Sequence, residues 1–234
     1  MRLDKFICLS TELSKAEASV QISARNVCVN DVIATDEAMQ VHENNRISLS
    51  GKILFPRAFR YIMLHKPAHT ICSNVDEHYP SVFNYLDIDN RDGLHIVGRL
   101  DADTTGLVLI TDDGRWSYGI TRPDKDCPKV YRVGLARPIA DNVAEKFSIG
   151  VTLQGETQPT LPATLTVLTP KEVLLTITQG KFHQVKRMFA AVGNRVISLH
   201  RESIGLVALD AQCLQEGQWR YLSAQEVQSF ASLG

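Results

Sequence analysis

Hydrophobic positions fall into short runs along most of the chain. YIMLHKP, residues 61–67, reads as a buried strand stopped by its proline, and GLHIV and GLVLIT read as two more. KVYRVGL alternates, with Tyr131, Val133 and Leu135 on one face. ATLTVLT and VLLTIT add strands. IADNVAEKF places Val143 and Phe147 one helical turn apart. QVKRMFAAVG carries Val185, Met188, Phe189 and Val192 as a helical stripe, with Gly193 as its stop. Strands outnumber helices and do not alternate with them regularly. The pattern predicts an α+β fold whose large mixed or antiparallel sheet is flanked by helices.

The first sixty residues have a different texture. Ser14 and Glu17 form a capping box that starts a helix through about Ala24. Val27 and Val29 lie on one strand, which ends in an Asn30-Asp31 turn, and Ile47 and Leu49 lie on another. GKILFPRAFR, centred on Pro56, reads as a linker. The expected division is a small N-terminal domain over 1–57 and a larger one over 58–234.

Composition narrows the class only slightly. The 234 residues are 44% hydrophobic and 22% charged, with a net charge of −1, so any basic surface is local. Five scattered cysteines without a C-x-x-C pair fit a reducing compartment and argue against a thiolate zinc site. The charged N-terminus lacks a signal-peptide core, and no apolar run approaches the roughly 20 residues of a membrane span. A cytoplasmic protein without membrane association is expected. Residues 181–201 hold five Lys or Arg, two His and no acid. They read as a solvated face or an anion-binding strip.

Between two buried runs, HIVGRLDADTTGLVLITDDG gathers Arg99, Asp101 and Asp103. DADTTGLVLITD follows an EF-hand loop up to its last position, but its flanks are strand-like. DADTT also fits the D-x-D-x-T nucleophile of magnesium-dependent phosphatases, which requires a parallel α/β setting. A polar turn explains Asp103 and Thr104, but not the nearness of Arg99 and Asp101 to buried strands.

Together with other segments, this stretch resembles RNA pseudouridine synthases. GRLDADTTGLVLITDDG is similar to that family's G-R-L-D-x-x-T-[ST]-G-L-L motif. KVYRV resembles its K-x-Y segment, LLTITQGKFHQVKRMFAAVG its G-[RK]-x-H-Q-[VI]-[RK]-R-M segment, and YIMLHKP its opening strand. The first residues, beginning RLDKFI, resemble an S4 RNA-binding domain. The wording is nearest the RsuA family of bacterial 16S ribosomal RNA enzymes. Gln179 and Lys181 depart from it where Glu and Arg are usual.

The resemblance implies an isomerase that detaches a uracil from its ribose, turns it and rejoins it through C5, without metal or cofactor. It implies Asp101 as the essential carboxylate, Tyr131 against the target base, and Lys186 as the cation that keeps a desolvated carboxylate ionised. Lys186 and Arg187 both lie off the apolar stripe, so either could pair with Asp101. Base flipping is expected, with Arg99 filling the vacated space. Lys181, His183, Gln184 and Arg187 would bind RNA, with Arg195 beside them, and Arg2, Lys5, Lys15 and Arg25 would do so in the S4-like unit. Lys66 reads as structural. The expected partner is 16S RNA or a small-subunit assembly intermediate, met by a monomer. Action on 23S RNA, a non-catalytic RNA-binding assembly factor and the phosphatase are the competing functions.

Overall fold

Two sheets organise residues 1–89 and 91–231, which the computed structural model describes. They belong to two units, one of Met1–Phe59 with Ile88–Leu94 and one of Arg60–Asp87 with His95–Gly234.

The first unit carries helices α1 (Leu3–Ser10) and α2 (Lys15–Ser23) and strands β1 (Val27–Val29), β2 (Val32–Ile33), β3 (Ile47–Leu49) and β4 (Lys52–Ile53). The capping box forms at Ser14 and Glu17, and α2 ends at its C-cap Ala24. The sheet order is β2-β1-β3-β4, antiparallel throughout. Its outer hairpins turn on Asn30-Asp31 and Ser50-Gly51, all four with positive φ, as a tight two-residue turn between twisted strands requires. The first half of the expected linker is therefore a strand: β4 pairs Ile53 with Ser48. Helix α1 was not anticipated, although Leu3, Phe6 and Ile7 have its period and are buried with Ala18, Ile22 and Val27.

The second unit holds β5 (Tyr61–Lys66), β6 (His95–Val97), β7 (Thr105–Thr111), β8 (Lys129–Leu135), β9 (Thr164–Thr169), β10 (Glu172–Ile177), β11 (Val196–Ile204), β12 (Val207–Ala208) and β13 (Trp219–Tyr221). Helices α3 (Gly114–Thr121), α4 (Val143–Ile149), α5 (Gln184–Ala191) and α6 (Ala224–Ser229) accompany them. The sheet runs β13-β5-β7-β11-β8-β10-β9, with β6 on β7 and β12 on β11. β7 and β11 are parallel and the other pairings antiparallel, so the fold is α+β around a large mixed sheet. Met63, Leu107, Leu109 and Ile204 are part of its core. On α5, Val185, Met188 and Phe189 are buried, and Phe189 meets Phe147 of α4 edge-on at 5.2 Å. No helix among the described residues is long and apolar enough to cross a membrane.

One feature of this sheet positions the polar loop. β5 takes one edge of β7, and β6 and β11 share the other, β11 at Thr105–Gly106 and β6 at Leu109–Thr111. The 98–104 connection emerges where the two partners of β7 change over. Gly106 sits at this crossing with φ +107°, and a Cβ there would stand 2.3 Å from the Arg201 carbonyl oxygen. Main chain cannot yield as a side-chain tip can. Gly106→Ala is expected to destabilise the fold by about 3 kcal/mol or more, read by urea unfolding.

Candidate active site

Residues 98–104 are held from below by a buried cation. Lys66, at the end of β5, is fully buried, and its Nζ donates to the carbonyls of Ala102 (3.2 Å), Thr104 (2.7 Å) and Pro67 (3.1 Å). Burial pulls its pKa below the ordinary lysine value. The His69 amide also donates to Ala102 (2.8 Å), and the Leu100 amide to the Cys72 thiol (3.3 Å). Lys66 thus supports the loop from inside, and Asp101 is carried at the loop's open side.

The loop and helix α5 meet at Asp101. Lys186 Nζ lies 2.9 Å from Asp101 Oδ2 and 2.6 Å from Asp103 Oδ1, so Lys186, not Arg187, makes this pair. His183 Nε2 lies 3.3 Å from the other oxygen of Asp101. Asp101 and Lys186 remain 29% and 27% exposed, so a ligand can reach both. Partial burial works against the Lys186 charge, but hydrogen bonds to Asp103 and Asp101 outweigh it and raise its pKa. At Asp103 burial is likewise overcome by the Lys186 hydrogen bond, and its pKa falls. Lys186 therefore stays cationic up to and beyond the ordinary lysine value. The stability this pair adds is present from the ordinary carboxylate range up to about 10.4; it is lost as pH falls through the lowered Asp103 value and as pH rises through the raised Lys186 value. Lys186→Met is expected to lower turnover about 100-fold while the fold survives, checked by single-turnover kinetics and circular dichroism.

Tyr131 is buried in β8 beside Val133 and Leu135, and its hydroxyl accepts from Arg201 Nη1 at 3.5 Å. In the sequence Arg201 stands out only as one charge of the basic strip, and its buried position does not. Its guanidinium is buried, donating from Nε to Leu107 O (2.7 Å) and from Nη2 to Gly98 O (2.9 Å). It joins the start of the loop, strand β7 and Tyr131. The signal was its alternation with Leu199, which puts both on the inner face of β11.

The other expected RNA-contact residues of the second unit separate into three groups. Lys181 and Arg187 both meet Glu156, at 3.1 and 3.2 Å, and Arg187 also donates to Gln154 O. A count of charges over 181–201 could not include an acid that arrives from the 154–156 turn. Gln184 lies inside: its Oε1 accepts from the Lys181 amide and its Nε2 donates to Gln179. It stands one helical turn before Met188, so the apolar stripe could have shown this. Arg99 and Arg195 are exposed. In the first unit, Arg2 bonds Asp4 and Glu37, and Lys15 is 3.8 Å from Asp4. Lys5 lies over the Phe59 ring at 5.9 Å, and Arg25 is exposed. The EF-hand and phosphatase readings fail on local structure: β6 and β7 flank the loop in place of helices, and they form an antiparallel pair.

Known proteins match this chain over nearly its whole length. The family profile described as RNA pseudouridylate synthase matches residues 60–191, and that of the S4 domain residues 1–47. The chain is similar to the ribosomal small subunit pseudouridine synthase A of Vibrio cholerae, with 48% identity covering 98% of this chain and 99% of the relative. It is 46% identical to the Escherichia coli protein of the same name, at the same coverage. A crystal structure of a pseudouridylate synthase superposes with TM-score 0.72 at 42% identity, covering 98% of this chain and 99% of that one. With its S4 domain and its large mixed sheet, the chain belongs to the RNA pseudouridylate synthase family and is an RNA pseudouridine synthase.

Proposed function

We propose that this protein converts a specific uridine of 16S ribosomal RNA to pseudouridine, with Asp101 as its essential carboxylate. The observation that carries the reading is the partly exposed Asp101–Lys186 pair on a loop clamped from below by Lys66. The small-subunit substrate is supported by relatives named for that activity at 46–48% identity over 99% of their length.

The bond changes balance without a co-reactant. The N1–C1′ bond of the uridine breaks, C5 bonds to C1′, the C5 proton leaves, and N1 gains one. Asp101 acts at the sugar, as nucleophile or as base, and the change needs neither oxidant nor metal. Lys186 pairs with the carboxylate, and Tyr131 lies against the base, its hydroxyl oriented by Arg201. The uridine must leave its stack, which costs a few kcal/mol unless it is already unpaired, and Arg99 takes its place. Residues 1–57 hold the RNA through phosphates and shape while residues 58–234 carry the chemistry. The substrate is free 16S RNA or a small-subunit assembly intermediate.

The test is carbodiimide mapping of pseudouridine in 16S and 23S RNA after incubation with the purified protein. A single new stop in 16S RNA is expected. Modification confined to 23S RNA would overturn the substrate assignment.

A further inference from the structure

An aromatic ring beside Asp101 has no role in the chemistry above. Phe182 is 72% exposed, and its ring lies flat on the His183 imidazole, with centroids 3.7 Å apart and planes inclined by 23°. His183 in turn reaches Asp101 through Nε2. This stack is held in place. His183 is in the left-handed region (φ 49°, ψ 32°), a conformation that costs a non-glycine residue on the order of 1 kcal/mol. Arg187 Nη1 fixes the Phe182 carbonyl at 3.1 Å. An exposed phenylalanine gains little from covering one imidazole. Here the backbone on both sides is constrained while one ring face stays open, one ring layer from the group that reaches the carboxylate.

We propose that Phe182 is a stacking platform for an unpaired nucleobase adjacent to the target uridine. The inference rests on the reading of Asp101 as the reaction centre. Every base has a π face, so the platform adds affinity with little sequence preference. The cationic groups of Lys181 and Arg187 flank the same turn and suit the attached phosphates, although both are engaged by Glu156.

Two assays run on the same proteins test this. One follows binding of a single-stranded oligouridylate carrying one 2-aminopurine, by its fluorescence. The other follows tritium release from 16S RNA labelled at C5 of uridine. Phe182→Ala and Phe182→Leu are expected to weaken probe binding roughly 10-fold and to raise KM by a similar factor, with kcat within about twofold. Phe182→Trp retains both values, because it keeps the π face that leucine lacks. Wild-type affinity and KM in Phe182→Ala would overturn the proposal. So would a fall in kcat at unchanged KM, which would make Phe182 a support for His183 alone. Loss of probe affinity in Phe182→Ala, in proteins that release no tritium at all, would uphold the platform and retire the reading of Asp101.

Discussion

Asp101→Asn is expected to bind 16S RNA within about threefold of wild type and to form pseudouridine at least 10³-fold more slowly, roughly the scale of losing a charge aligned with a transition state. The amide is nearly isosteric, and its oxygen can still accept from Lys186. The loop itself does not depend on the carboxylate, because Lys66, His69 and Cys72 hold its main chain. Binding and chemistry therefore separate in this variant. Nucleoside chromatography of digested RNA gives the chemistry, and filter retention gives the binding. Equal losses in both would make Asp101 a binding residue.

Arg201→Met should have the next largest effect, on both stability and turnover. The substitution leaves the Gly98 and Leu107 carbonyls without their buried donor. An unsatisfied buried group costs about 1–3 kcal/mol. Relief from burying a guanidinium offsets part of that, and the net loss expected is about 2 kcal/mol by urea unfolding. Turnover falls about 100-fold, because the loop entry and the Tyr131 hydroxyl lose their common anchor. Arg201→Lys does not restore it: one ammonium cannot replace a planar fork aimed at three acceptors. A variant with wild-type kcat and lowered stability would confine Arg201 to a structural role.

The residues that could be read from sequence were those whose roles rest on local pattern. Ser14 and Glu17 announced α2, and the runs at 61–66, 105–111 and 129–135 announced β5, β7 and β8. The apolar stripe left both Lys186 and Arg187 free to meet Asp101, and only the family resemblance favoured Lys186. What escaped depends on contacts across the chain. Glu156 cancels part of the basic strip from 25 residues away, and no window over 181–201 contains it. Arg201 looked like one more surface charge because its neighbours His200 and Glu202 are polar. Its burial follows from strand register, and its three acceptors come from Gly98, Leu107 and Tyr131. Strand β11 was missed for the same reason, its apolar positions being interrupted by charges. Gln184 had its signal in the helix period, but its motif neighbours made it look like an RNA contact.

The central claim is that a carboxylate on the 98–104 loop drives uridine isomerisation, and tritium release from 16S RNA labelled at C5 of uridine tests it most directly. C5 loses its hydrogen only when it becomes the glycosidic carbon. With EDTA present, wild type is predicted to release one tritium equivalent for each uridine converted, and Asp101→Asn none above background. Release by Asp101→Asn at the wild-type rate would contradict the account, as would no release by wild type from free RNA or from partly assembled subunits.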